Sequence, residues 1–340
     1  MKLVGNQTWR FEDGIYLTST GTAVGPIESE GPLKEDFDTS YDNLYCGEAN
    51  WELAERKLLM DSIDSCLQKQ NLKEKEIDFF LAGDLLNQNV TSNYVARSMG
   101  IPFLGMFSAC ATAIETLAMG SVLVDGGYAN KIIAATSSHN ATAERQFRYP
   151  TEFGGQRPES STFTVTGAGA ALISKKPGQL GIKIREATIG KVVDLGIKNP
   201  FDMGSAMAPA ACDTIVAHLQ DTGRKAEDYD LIVTGDLSRV GSGIVKMLLK
   251  EQGISLHNNY QDCGVMIYSQ DQNIFAGGSG CACPAVVTYG HLVNEMKKGK
   301  IKRMLVVATG ALLSPTMMQQ KESIPCIAHG VVLESEVIDS

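Results

Sequence analysis

The sequence predicts an α/β protein made of two duplicated halves, and three observations lead there. Four continuous apolar runs, FFLAG from Phe79, KIIAATS from Lys131, DLIVTG from Asp230 and MLVVATG from Met304, alternate with segments of helical periodicity. That alternation is the pattern of mostly parallel strands buried on both faces by crossover helices. The elements recur in the same order in the two parts of the chain. The composition, 44% hydrophobic with 34 glycines and only 7% aromatic residues in 340, is that of a compact α/β chain rather than a disordered or fibrous one.

The duplication can be followed element by element. CLQKQNLKEKEIDFFLAGD (Cys66 to Asp84) matches HLQDTGRKAEDYDLIVTGD (His218 to Asp236): a helix end, an acidic polar turn and a short apolar strand closing on Gly-Asp. Leu67 to Asp84 and Leu219 to Asp236 both span 17 positions, and Asp78 and Asp230 precede the two strands. A second pair follows, SACATAIETLAMGSVLVDGGYANKIIAATSS from Ser108 and SGCACPAVVTYGHLVNEMKKGKIKRMLVVATGA from Ser279. Each reads as a largely apolar helix, a Gly-containing turn and a buried strand. The halves are placed at 1–175, carrying Cys110, and 176–340. A pseudo-twofold between them would bring the helices that begin near Cys110 and Cys281 together, with Asp84 and Asp236 ending equivalent strands beside a shared cleft. Ligands bind at the carboxyl ends of such strands.

Within MFSACATAIETLAMG (Met106 to Gly120), Ser108 reads as an N-cap, which would put Cys110 in the first turn of a helix. A thiol there feels the positive helix end, which lowers its pKa and attracts anions.

Several classes are excluded. The net charge is −9, from 30 basic and 39 acidic residues, with no basic stripe for nucleic acid. The opening MKLVGNQTWRFEDG turns polar at once, unlike a signal peptide, and the apolar run Met304 to Leu313 is too short to span a bilayer. A soluble protein is expected. Its eight cysteines, spread along the chain, suit a reducing compartment, and the Cys281/Cys283 pair lacks the partners of a zinc site. GAGAA at Gly167 lacks the strand-to-helix context and downstream acid of a dinucleotide motif. The segment from Glu28 to Asn50 holds seven acids against Lys34 and reads as solvated surface.

SACAT around Cys110 resembles the nucleophile elbow of thiolase-fold condensing enzymes, especially the ketoacyl-acyl-carrier-protein synthase III type. STFTVTGAGAALIS (Ser161 to Ser174), FDMGSAMAPAACDTIVAHLQ (Phe201 to Gln220) and MLVVATGALLSP are similar to further segments of that family, in the same order. The resemblance implies a thiolase-like fold in five α-β-α-β-α layers and a homodimer. It breaks at the acid–base positions. Leu231 to Gly241 has no histidine where the family carries one, Gly235 or Asp236 standing there, and Gly278 stands at the family's asparagine. Each such loss costs ~10²–10⁴-fold in rate, so no catalytic residue is assigned and the chain is expected not to be an enzyme. The elbow and the backbone N–H groups of a Thr309-Gly310-Ala311 loop would remain as an anion-binding pocket.

The whole chain is similar to a non-condensing, thiolase-fold family of sporulation proteins from spore-forming Firmicutes. That resemblance implies binding of dipicolinic acid (pyridine-2,6-dicarboxylate), with Ca²⁺ entering alongside it, and support of its uptake into the developing spore. No other cofactor and no resident metal are expected. Membrane proteins of the same operon would be the partners, with the chain soluble or peripheral at the spore inner membrane. Candidate ligand-binding residues are Cys110, Asp84 and Asp236, His139 after strand KIIAATSS, Arg157 in the loop ERQFRYPTEFGGQRPES, and Gly310. Two other functions fit the sequence: an acyltransferase using Cys110 with His139 or Asp236, and a ligand-free scaffold for membrane partners.

Overall fold

A computed structural model describes residues 2–147 and 158–336. The first half runs β1 (Leu3–Val4), β2 (Thr8–Val24), β3 (Thr39–Ser40), α1 (Trp51–Gln68), β4 (Phe79–Asp84), α2 (Val90–Met99), β5 (Phe103–Gly105), α3 (Thr112–Asp125), β6 (Lys131–Ser138), α4 (Asn140–Phe147), β7 (Thr162–Thr164) and β8 (Gly167–Ser174). The second runs β9 (Ile182–Ile189), α5 (Met203–Thr222), β10 (Leu231–Thr234), α6 (Ser238–Glu251), β11 (Tyr260–Asp262), α7 (Cys263–Met266), β12 (Gly277–Ser279), α8 (Ala282–Val286), α9 (Val293–Lys297), β13 (Arg303–Ala311), α10 (Pro315–Gln319) and β14 (Cys326–Ser335). A π turn over Val287–Leu292 joins α8 to α9.

Apart from β7 and β12, the strands form one sheet in the order β11-β10-β13-β14-β9-β2-β8-β6-β4-β5, with β1 and β3 also paired to β2. Read outward from the β2–β9 junction, each half gives the same order, which is the duplication seen in the sequence. Three strands of each half (β5, β4, β6 and β11, β10, β13) run parallel, whereas β8, β2, β14 and β9 pair antiparallel. The mostly parallel expectation therefore holds only for the outer strands. The excursion after β6 leaves and rejoins the sheet at one end, where Ser138 pairs with Gly167, so the chain enters β8 in reverse.

The sheet folds about β2 and β9 into two blades. Helix α1 covers the outer face of the first, burying Ala54, Leu58, Leu59, Ile63 and Cys66 against β2 and β8, and Asn50 caps it by accepting from Leu53 N–H. Helices α5 and α6 cover the outer face of the second. Between the blades lie α3 and α8, whose Ile114, Leu117 and Val286 share one core with Val287 of the π turn and with strands of both halves. Each such side chain contributes about 1.5–3 kcal/mol of burial. The result is five α-β-α-β-α layers.

The matching aspartates do matching work. Asp78 accepts from Asn130 and Lys131 N–H at 2.6 and 2.9 Å, and Asp230 accepts from Lys302 and Arg303 N–H at 2.8 and 2.9 Å. Each ties the turn before one parallel strand to the start of its neighbour. Among the described residues no helix is long and apolar enough to cross a membrane.

Candidate functional site

The blades meet around the turn Ser108–Ala111. Ala109 there has φ 50°, the left-handed region that an alanine adopts at a cost of about 1–2 kcal/mol, so surrounding contacts must hold it. Cys281 Sγ donates to Ala109 C=O at 3.0 Å, and Gly310 packs so closely that a Cβ on it would lie 2.0 Å from Ser108 C=O. The expected N-cap is absent. α3 begins at Thr112, Ser108 N–H donates to Thr112 Oγ1 at 3.1 Å, and Ser108 Oγ donates to Glu115 at 2.9 Å. Cys110 therefore sits before the helix rather than in its first turn.

Cys110 forms the floor of a cleft enclosing about 570 Å³ of empty space, part of it open to solvent. Its walls are apolar: Leu85, Phe107, Ala143 and Phe147 from the first half, Met203, Met207 and Leu313 from the second. Polar atoms come from Thr164, Ser279 and Gly280. Thr164 and Ser279 are cross-strand partners in the two-stranded parallel sheet of β7 and β12, which bridges the halves.

Behind this floor lies Asp236, fully buried. It accepts from Thr309 Oγ1 at 2.6 Å, Ser279 Oγ at 2.9 Å and Gly280 N–H at 3.2 Å. Burial pushes its pKa up and these donors pull it back, leaving it raised. Burial first, then the Asp236 charge, push the Cys110 thiol well above its usual range. This reverses the expectation that the helix end would lower it, because desolvation and a neighbouring anion outweigh a dipole whose helix starts two residues later.

The equivalent Asp84 is committed elsewhere. Its carboxylate accepts from Leu86 N–H at 3.0 Å and from Ser92 N–H and Oγ, both at 2.8 Å, tying the end of β4 to the start of α2. In the second half Asp262 does this job, accepting from Leu237 and Ser238 N–H, both at 2.9 Å, and from Thr234 Oγ1 at 2.6 Å. That leaves Asp236 free to turn toward the centre. The two carboxylates thus end equivalent strands as expected, but only Asp236 bonds to residues that line the cleft, Ser279 and Gly280.

His139 is buried at the start of α4. Its Nδ1 accepts from Ala141 N–H at 3.1 Å, so Nε2 carries the proton and donates to Leu44 C=O at 2.8 Å. Burial lowers its pKa, and it does not line the cleft. Gly310 lies in β13, paired with Ile327, so the expected loop at Thr309–Ala311 is sheet. Arg157 lies outside the described residues. Arg145, read from the sequence as part of that loop, lies in α4 instead, where it pairs with Glu52 and covers the Trp51 ring at 5.6 Å. At the family's asparagine position, a Cβ on Gly278 would lie 2.8 Å from Ile267 Cγ2. Cys283 Sγ donates to Gly235 C=O at 3.3 Å, and among the described residues no three His, Cys, Asp or Glu side chains are grouped to hold a metal. The apolar walls escaped the sequence reading. Met203 and Met207, one helical turn apart within FDMGSAMAP, carried the one signal that could have found them.

Comparison with solved structures shows the fold. OleA of Xanthomonas campestris matches with TM-score 0.59 at 14% identity, covering 96% of this chain and 99% of that one. The 3-oxoacyl-[acyl-carrier-protein] synthase III of Aquifex aeolicus matches with TM-score 0.57 at 15% identity, over 94% and 100%. Human mitochondrial 3-ketoacyl-CoA thiolase in complex with CoA matches with TM-score 0.57 at 12% identity, over 95% and 98%. The stage V sporulation protein AD of Bacillus subtilis (strain 168) is 62% identical over 334 residues, 98% of each chain. The model of that family matches residues 5–334, and the chain therefore belongs to the stage V sporulation protein AD (SpoVAD) family, a sporulation protein on a thiolase-like fold.

Proposed function

We propose that this sporulation protein is a non-condensing ligand carrier that binds dipicolinic acid in the cleft at Cys110 and supports its uptake into the developing spore. The observation that carries the reading is the cleft itself. A thiolase-type elbow is kept, while its acid–base positions hold a buried carboxylate and a glycine with no room for a side chain. Its apolar walls suit the faces of a planar aromatic ring, and Thr164, Ser279 and the Gly280 backbone offer polar contacts at the floor. Among the described residues lining the cleft none is cationic. Two ligand carboxylates can be neutralised by a Ca²⁺ that they chelate, and the cargo on this reading is the calcium chelate, with no resident cofactor.

The membrane step falls to partner proteins of the same operon, with this chain peripheral at the spore inner membrane. A homodimer is supported by β5, which ends the sheet, and by Leu104 within it and Phe107 just after it, 45% and 49% exposed. Light scattering that gives a monomer mass would reject it.

Calorimetric titration with dipicolinate, with and without Ca²⁺ and with benzoate as control, tests the cleft. Saturable, dipicolinate-selective binding is expected, strengthened by Ca²⁺ and lost in Ala143→Phe, which fills the cleft. Binding that survives Ala143→Phe would move the ligand elsewhere, and no binding by the wild type would leave the scaffold function.

A further inference from the structure

We propose that the chain carries a second ligand site, a polar pocket remote from the cleft, which takes a small organic anion bearing carboxylate or phosphate groups. The pocket encloses about 470 Å³ of empty space, part of it open to solvent, and shares no lining residue with the cleft. Its wall is assembled from six separate stretches of both halves: β2, the segment Asp36–Asp38, the end of α1, the loop at Gln179, the π turn and α9. Helices α1 and α9 both end there, each on the approach to a parallel strand, β4 or β13, whereas the cleft lies where such strands finish.

Two features of the local fold shape the pocket. The helix that follows Cys281 is broken by the π turn, while its counterpart in the first half, α3, is regular throughout. Such turns are rare and recur at functional sites. Within it Gly290 lies against the acidic segment, where a Cβ would come 2.8 Å from the Asp36 C=O. That segment, read from the sequence as solvated surface, turns Asp36 and Asp38 into the pocket wall.

The acceptors in the wall are already engaged. Asp36 accepts from His291 Nδ1 at 2.6 Å and Asn294 Nδ2 at 2.9 Å, and Asp38 accepts from Thr22 N–H at 2.9 Å and pairs with Lys69 Nζ at 2.7 Å. The last carbonyls of α1 are taken as well, Cys66 by Ser19 Oγ, and Ser65, Leu67 and Gln68 by the backbone of the following turn. What remains is chiefly donors. Lys69 Nζ keeps one hydrogen after Asp38 and the Thr20 C=O at 2.8 Å, and Lys297 Nζ and the Gln179 amide have no partner among the described residues. Glu295, two positions before Lys297, is held instead by Lys298 and Lys300 at 2.8 and 2.7 Å. Ammonium groups whose neighbouring acids are satisfied suit an oxyanion.

This inference stands apart from the reading above. Calorimetric titration of the full chain with citrate and with inorganic phosphate, at fixed ionic strength, tests it in the wild type, Lys297→Gln and Ala143→Phe. Lys297 is exposed, so its change leaves folding intact. Saturable binding of at least one probe is expected, weakened about tenfold by Lys297→Gln through loss of one charge-assisted contact. Ala143→Phe fills only the cleft and should leave that binding unchanged. Citrate alone binding would mark a carboxylate site, and phosphate alone a phosphate site. Acetylation of lysines by an N-hydroxysuccinimide ester, read by peptide mass spectrometry, should slow at Lys69 and Lys297 with the bound probe and not at Lys246 on α6. No saturable binding of either probe, affinity in Lys297→Gln that matches the wild type, loss of binding in Ala143→Phe, or no protection of Lys69 and Lys297 would each overturn the proposal.

Discussion

Gly310 is where the second half presses on the elbow, and adding one carbon there is a direct test of how the site is built. A Cβ at Gly310 would lie 2.0 Å from the Ser108 carbonyl oxygen and 3.1 Å from Ala111 N. The nearer contact is more than 1 Å inside an ordinary carbon–oxygen approach, and both atoms are backbone, so no side chain can rotate away. Neither side yields easily. The elbow is held by Cys281 on Ala109 and by Ser108 on Glu115, and β13 is paired to β14 along its whole length from Arg303 to Ala311. Overpacking by one methyl group costs about 1–3 kcal/mol when neighbours can relax. Here the expected loss for Gly310→Ala is at the top of that range, about 3 kcal/mol. Urea unfolding read by circular dichroism would measure it, with Gly243→Ala as control. Gly243 lies exposed inside α6 with nothing within 4 Å of a new Cβ, so that change should stabilise by about 0.5–1 kcal/mol through helix propensity. A Gly310→Ala loss below about 0.5 kcal/mol would refute the tight apposition of strand and elbow.

Asp84→Asn should lower stability by about 1–3 kcal/mol, because one amide cannot replace both acceptor oxygens of a buried carboxylate. Dipicolinate affinity of the folded variant should stay within about twofold, and a tenfold loss in titration would return Asp84 to the binding site. A third prediction concerns pH. Burial raises Glu28 to about 7, Glu55 to about 8 and Asp262 to about 7, all above their ordinary carboxyl values. Such groups hold more protons folded than unfolded, so the stability they contribute is present in acid and is lost as pH rises through those values. The buried His218 and His329, lowered to about 3 and about 4, act oppositely but only below their ordinary 6.5. From pH 6.5 to 8 the carboxyls act alone, and Tm should fall across that window. A flat or rising Tm in calorimetric scans there would contradict the burial of these acids without bases.

The architecture was legible because a duplication writes itself twice. The spacing from Leu67 to Asp84 and from Leu219 to Asp236, with Asp78 and Asp230 inside it, marks a local unit, and the local hydrogen bonds of Asp78 and Asp230 prove identical in kind. The site was less legible because its residues are defined by distant partners. Nothing near Asp84 in the sequence announces that Ser92 will claim its carboxylate, nor that Asp262, 26 positions beyond Asp236, will take over the equivalent duty. His139 reads as a free base at a strand end until Leu44, 95 positions away, accepts from its ring. The thiol of Cys110 was misjudged for a similar reason. The helix dipole is visible in sequence, whereas the buried anion beside the thiol comes from the other half of the chain. The cleft walls, being ordinary apolar residues, carry no chemical mark at all.

The small ladder of β7 and β12 has a mechanical meaning beyond its size. Thr164 belongs to one half and Ser279 to the other, yet they are neighbours in one register, and both face the cleft. A ligand that touches both would bridge the halves at the point where they are already stitched together. Ser279 in turn holds Asp236, and Asp236 holds Thr309 on β13. Occupancy of the cleft would then tighten or slacken a chain of contacts running from the bridging ladder into the second blade, as a weight does on a spring balance. In the proposed carrier, that chain of contacts would lie directly beneath the load.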